Sequence, residues 1–391
     1  ANALSFAVKK GLSEHFYACL EDDDCKGMVI TGAGRMFVAG ADIGEFGMAT
    51  PEGVPELENF IREIEVAPKP VVAAINGMAL GGGMELAMGS HYRIAAPSVS
   101  VGQPEVHLGF IPGGGGTQRL PRPIGVEKAL EMIVGGNPID AATALKYGAI
   151  DEVVEGDLVA RAVELAEQKA DSGETPRQTG AQTDKISNVD PQIFEDWRKK
   201  VAPKSRNMES PFECINTVEA STKMDIVEGL AFERKTFVRL MMTAEAKSMR
   251  HMFFAERGVT KIPDVPKDTA IQEINKAAII GSGTMGGGIA MNFANVGIPV
   301  VVVDIAQDAL DAGIEKVKSN YAGSVSRGRI TQEKMDQCMS LISGTTDYTD
   351  LADVDIVIEA VFEEMGLKKK IFAELDKVCK PEAILASNTS T

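Results

Sequence analysis

The chain has 391 residues, a formal net charge of −16 and a hydrophobic content of 44%. That length allows two or three globular domains, and the acidic balance argues against non-specific nucleic-acid binding, which needs cations to displace counterions. There is no apolar run of about 18 residues to span a membrane, and five cysteines without a CxxC pair suggest neither a metal knuckle nor a disulfide framework, so a reducing compartment is expected.

In chain order, apolar residues at helical spacing predict a helix over 6–20, with Ser5 as its cap. Strands are predicted at 26–31 and 70–76, the second entered through Pro68 and Pro70, with a helix over 54–66 between them. Two short strands follow in "HYRIAA" and "SVSVG", then helices at 126–134 and 141–147 and a strand at 149–154. Strands alternating with helices indicate an α/β fold. Residues 171–187 are polar and predict a mobile loop or linker, while 191–257 read as mostly helical, with the Met and Phe of 225–257 taken as core. At 277 the texture changes to strand, glycine loop, helix and strand, the start of a second α/β domain. The chain opens on "ANALSF", with neither Met nor a signal-like segment, and closes on "ASNTST", so a fragment of a longer protein is expected.

Two places carry chemistry. In "ALGGGMELA" (79–87) three glycines lead into a helix. Amides at a helix start have no intrahelical partner and can face an oxyanion. Glu85 follows at once, and Glu105 lies twenty residues further on, in "VGQPEVHLGFIPGGGGTQRLPR". Two carboxylates near backbone donors suggest proton transfer at one substrate, with at least one pKa raised by burial and mutual repulsion. The structural alternative is that each caps a helix or pairs with an arginine such as Arg93 or Arg119. His107 is expected in a packing role. Further along, "IIGSGTMGGGIA" holds Gly281, Gly283 and Gly286 as GxGxxG, and Asp304 closes the next apolar run 18 residues later, near the ~20 expected of a ribose-binding acid.

"GADIGEF", "NGMALGGGMELA" and "GQPEVHLGFIPGGGGTQRLPRPIG" resemble the enoyl-CoA hydratase/isomerase (crotonase) family from residue 2 to about 170. The resemblance implies a ββα superhelix over 1–190, its first strand missing. It puts a thioester oxygen against the Ala41 and Gly82 amides. Glu85 would activate water and Glu105 would protonate the α-carbon. Gly40 and Asp42 would line the substrate, and Arg35 would sit near the CoA nucleotide. "DVDIVIEAVFEEMGLKKKIFAELDKVCKPEAILASNTST" resembles the NAD domain of L-3-hydroxyacyl-CoA dehydrogenase, so 271–391 is expected to be an incomplete Rossmann domain behind a helical linker over 191–270. That resemblance implies NAD as cofactor. It puts Glu363 and Lys368 beside the nicotinamide ribose or the substrate, and Asn388 and Ser390 near the reacting carbon. The catalytic His–Glu pair would lie beyond Thr391, so NAD binding is expected without oxidation. No metal site is expected.

Hydratase before dehydrogenase is the order of the multifunctional β-oxidation enzymes. It implies hydration of trans-2-enoyl-CoA, then oxidation of the 3-hydroxyacyl-CoA, with a thiolase subunit as candidate partner. The alternatives are an isomerase alone or a non-catalytic acyl-CoA and NAD binding module. The acidic pI near 4.9 leans towards a bacterial cytosol, with the peroxisome as alternative.

Overall fold

The computed structural model describes residues 2–259, 261–266 and 268–389. They form two compact units, the first ending at Ile262 and the second beginning at Pro263.

The first unit holds β1 (Met28–Thr31), β2 (Val71–Ile75), β3 (Ala79–Leu80), β4 (Tyr92–Ala95), β5 (Ser100–Gly102), β6 (Ile139–Asp140) and β7 (Glu152–Val153). One parallel sheet runs β1-β2-β4-β7; a smaller one runs β3-β5-β6, with β6 antiparallel. β2 reads VVAAI and is buried at every position, as a parallel strand covered on both faces must be. The helix Phe6–Glu21 starts where expected, with the Ser5 hydroxyl accepting from the Val8 amide. β3 runs directly into the helix Gly82–Gly89, all eight residues of which are buried.

Three expectations are corrected. The helices Gln192–Val201, Ser210–Ala220, Ile226–Met241 and Ala244–Gly258, read as a linker, belong to the first unit. Phe194, Cys214, Ile215, Val218, Phe237 and Leu240 share one core with Phe60, Met84 and Leu86, because their apolar faces have that sheet layer to cover. The polar segment 171–187 is anchored, not free. The Gly180 amide donates to Glu65 (2.6 Å), and Thr179 accepts from the Arg93 guanidinium (3.1 Å). Its polar groups serve buried charges, which composition does not reveal. Finally, Cys19 and Cys25 form a disulfide, Cα atoms 5.7 Å apart, because the chain turns back at the end of the first helix. Cys214, Cys338 and Cys379 are free.

The second unit holds β8 (Ala277–Ile280), β9 (Val300–Val303), β10 (Ile342–Thr345), β11 (Ile356–Glu359) and β12 (Ile384–Ser387), all parallel, in the order β10-β9-β8-β11-β12. The chain leaves β8 to one side and later returns to the other. The carboxyl ends of β8 and β11 therefore flank a topological switch point, where dinucleotides bind in such sheets.

Candidate active site and dinucleotide cradle

Two loops meet at the start of the helix Gly82–Gly89. Leu4 donates to the Gly40 carbonyl and Leu80 to the Val38 carbonyl, which fixes the turn carrying Ala41 against that helix. A Cβ placed on Gly82 would lie 3.2 Å from the Ala41 nitrogen, so the two amides are neighbours. Among the described residues neither amide donates to any acceptor. Gly81 makes the geometry possible. Its φ is +52°, and a side chain there would strike the Glu105 carboxylate at 2.6 Å.

Glu85 is buried, and its Oε1 accepts from the Gly114 (2.7 Å) and Gly116 (2.8 Å) amides. Burial pushes this carboxyl up, opposed by those two donors and by Arg119, with a net rise. Glu105, at the start of a short 3-10 turn, is also buried. Burial, then the Glu85 and Glu233 charges, raise it well above the ordinary carboxylate value. The Gln103 side-chain amide lies against Glu105, and with its nitrogen turned towards the carboxyl it would donate to both oxygens at 3.1 and 3.2 Å. Neither glutamate pairs with an arginine, but Glu85 accepts from the Gly116 amide at the start of the helix Gly116–Arg119, so the capping half of the structural alternative is met there. Arg119 pairs with Glu65 (2.8 Å), and Arg93 donates to Ala149 and Ser90 carbonyls and to Thr179.

Sequence reading missed a third buried glutamate. Glu233, on the helix Ile226–Met241, accepts from the Gly115 amide (2.6 Å) and from the Thr117 amide (2.8 Å) and hydroxyl. Burial and the Glu85 charge push it up to about 8, against those donors. All three carboxyls are raised, so each stabilises the fold below the ordinary value and loses that contribution as pH rises through its folded value. For Glu233 the window runs from 4.5 to about 8. The urea midpoint should therefore fall between about pH 5 and about pH 8, and fall less in Glu233→Gln. A midpoint that rises across this range would contradict the assignment.

These groups open on a cavity of about 310 Å³ lined by Gly40, Ala41, Asp42, Gly82, Glu85 and Glu105. Its apolar wall is Phe46, Phe110 and Phe237, packed edge to face with centroids 5.5–6.1 Å apart. Phe237 and Met241 lie on the same helix as Glu233, so that helix both fills the core and walls the cavity. Asp42 is committed locally, accepting from the Gly44 amide at 2.9 Å. Arg35 is exposed and does not line the cavity, and His107 is exposed as well.

In the second unit Gly281 follows β8 with φ +103°, and a Cβ there would meet the Ala360 carbonyl oxygen at 2.7 Å. A Cβ on Gly286 would lie 1.8 Å from the Gly281 carbonyl oxygen, so the helix Thr284–Asn295 rests directly on the turn. A Cβ on Gly283 would meet nothing within 4 Å, which leaves open space beside the helix's unpaired amides. Asp304, just after β9, accepts from the Ser282 amide (2.9 Å) and hydroxyl (2.5 Å) and from its neighbour Ile305 (2.8 Å). Burial works upwards on its carboxyl, but the Ser282 bonds prevail and hold it low. An ionised acceptor beside a glycine turn fits the adenosine ribose and pyrophosphate of NAD.

Lys368 bridges Glu363 (3.0 Å) and Glu359 (3.1 Å). Glu359, fully buried at the end of β11, also accepts from the Val361 amide and the Ser387 hydroxyl. It had no local signal beyond closing an apolar strand. The Asn388 amide donates to the Glu359 carbonyl at 2.7 Å. Ser390 lies outside the described residues. Among the described residues no group of His, Cys, Asp and Glu could hold a metal ion.

Residues 1–195 match the enoyl-CoA hydratase/isomerase family model, and residues 276–391 that of the NAD binding domain of 3-hydroxyacyl-CoA dehydrogenase. The whole chain aligns with a peroxisomal fatty acid beta-oxidation multifunctional protein of Arabidopsis thaliana at 39% identity, covering 55% of it. It aligns with the peroxisomal bifunctional enzymes of Cavia porcellus (40% identity, 54% of that protein) and Homo sapiens (38%, 54%). The chain thus spans about half the length of the curated relatives it matches. No described helix is long and apolar enough to cross a membrane.

Proposed function

Because this chain belongs to the family of multifunctional fatty-acid β-oxidation enzymes, we propose that its first cleft adds water to a trans-2-enoyl-CoA. The observation that carries the proposal is the convergence of two undonated amides and two unlike carboxyls on one cavity. The Ala41 and Gly82 amides bind the thioester oxygen and polarise the conjugated system. Glu85, whose carboxylate form two loop amides favour, takes a proton from water as the water oxygen bonds to C3. The C2=C3 electron pair moves towards the thioester oxygen. Each preorganised donor there is typically worth about 3–4 kcal/mol to the enolate. Glu105, held protonated by burial and its charged neighbours, gives its proton to C2. The proton on Glu85 then returns to Glu105 through water, and the site is reset.

The second unit supplies the NAD cradle for oxidation of the resulting 3-hydroxyacyl-CoA by the full-length protein. NAD held there would supply the hydride acceptor. Asp304 would hold the ribose hydroxyls and the Gly281–Gly286 turn the pyrophosphate, with Lys368 and Glu363 on the nicotinamide side. Gly286→Val should weaken NAD binding at least tenfold, about 1.4 kcal/mol, read by calorimetry with the first cleft's activity unchanged. An unaltered Kd would contradict this placement. The 3-ketoacyl-CoA formed is thiolase substrate chemistry, which supports a thiolase subunit as partner. The acidic composition supports a bacterial cytosol, against relatives named peroxisomal.

Supplying a 2-enoyl-CoA and a 3-enoyl-CoA in parallel tests the reading. Formation of 3-hydroxyacyl-CoA from the former supports hydration. Turnover of the 3-enoyl thioester alone would make the site an isomerase, and binding without turnover of either would make it a binding module.

A further inference from the structure

The loop 113–117 is held from both sides by buried glutamate carboxyl groups. Its successive amides alternate between them: Gly114 and Gly116 donate to Glu85, Gly115 and Thr117 to Glu233. Glu85 comes from the helix that starts at the oxyanion amides, and Glu233 from the helix Ile226–Met241, well over a hundred residues further along the chain. The same second helix lays Phe237 over Gly113, where a Cβ would strike the ring at 2.5 Å, and Leu230 beside Gly115. Arg119 fixes the loop's other flank by donating to the Gly114 carbonyl at 3.1 Å. The two sets of bonds together fix the peptide planes from 114 to 117, so the Glu233 bonds at Gly115 and Thr117 help hold the orientation of the Gly114 and Gly116 donors that Glu85 uses.

We propose that Glu233 is a positioning residue for the first cleft, aiming the Gly114 and Gly116 amides at Glu85 and so fixing where Glu85 meets the attacking water. This rests on the hydration reading for its catalytic consequence, though not for its structural one. Glu233 touches no reacting atom; it acts through Glu85. The helix that walls the cavity with Phe237 and Met241 is thereby tied to the base, so the segment beyond residue 190 is needed for turnover as well as for substrate fit.

Glu233→Gln presents an NH₂ to one of the two sets of loop donors and must release it. Two readouts are taken on the full 391-residue chain. The first is the amide proton shifts of Gly114 and Gly116, which report their charge-assisted bonds to Glu85 without any substrate. They are expected to move upfield in Glu233→Gln along with those of Gly115 and Thr117. The second is crotonyl-CoA hydration. The kcat should fall roughly 100-fold, the penalty of a misplaced catalytic group, with KM changed less than about threefold. Adding Glu233→Gln to Glu85→Gln should cost nothing further, because residues that act as a unit are not additive.

Movement of Gly115 and Thr117 alone, or an equal loss of kcat in the Glu85→Gln background, would overturn the proposal. If the wild type hydrates nothing while the Gly114 and Gly116 shifts respond as described, the function proposed above fails and the positioning role stands. Should Glu233→Gln not fold, Thr117→Val removes one hydroxyl bond to Glu233, and the same shifts should move in the same direction by less. Unmoved shifts there would overturn the proposal too.

Discussion

Glu85→Gln and Glu105→Gln are each expected to lower kcat for crotonyl-CoA hydration by roughly 10²–10⁴-fold, the usual contribution of general acid–base catalysis, while both proteins stay folded. Glutamine at 85 keeps an oxygen that accepts from Gly114 and Gly116, so the loop is not disturbed. It has no basicity to take the proton of water. Glutamine at 105 fills the space left by the φ +52° turn at Gly81 and still meets Gln103, but it has no proton to deliver to C2. The two losses differ in pH dependence. Glu105 works in its protonated form, so the wild-type rate should fall at alkaline pH as that proton is lost, and this limb should be absent from the residual activity of Glu105→Gln. If one variant lost all activity and the other stayed within threefold of wild type, a single carboxylate would be doing the proton transfer, as an isomerase requires.

Arg119→Met is expected to destabilise the first unit by about 3–5 kcal/mol, the cost of stranding a buried charge. Arg119 and Glu65 are 0% and 6% exposed at the side chain, and their contact is 2.8 Å. Methionine matches the aliphatic stem but, among the described residues, leaves the Glu65 carboxylate with only the Gly180 amide as a hydrogen-bond donor. The Gly114 carbonyl loses its donor as well, so hydration should fall along with stability. Adding Glu65→Gln to Arg119→Met should restore part of the stability, because the stranded charge goes too. Urea unfolding checks both variants. A double variant weaker than Arg119→Met alone would show that the ion pair is not what the arginine contributes.

The features that could be read from the sequence are those in which backbone need and side-chain chemistry lie close together in the chain. The glycines of 81–83 with Glu85, and those of 281–286, sit within one strand–turn–helix each, Asp304 closes the strand that follows, and the structure brings Glu105 to the same cavity as Glu85. Glu233 could not be read in this way. It stands in an ordinary amphipathic pattern, and its significance arises only when that helix packs against loop 113–117. Of the Met and Phe over 225–257 that spacing assigns to the core, Phe237 is buried and Met241 partly so, both ending at the cavity wall, while Met242, Met252 and Phe254 are exposed. Polarity misled at 171–187, where Thr179 and Gly180 satisfy Arg93 and Glu65 instead of solvent. Glu359 and Ser387 meet only through the pairing of β11 with β12, and the strand pattern carries no trace of that contact.

The most direct test of the central claim is hydration of crotonyl-CoA in D₂O, with the product analysed by mass and by NMR. Two carboxylates working beside one oxyanion cradle predict 3-hydroxybutyryl-CoA with one deuterium at C2 and the hydroxyl at C3. Deuterium at C4 of a thioester that has gained no oxygen would contradict the account, since it would report a single base moving protons along the chain with no water added.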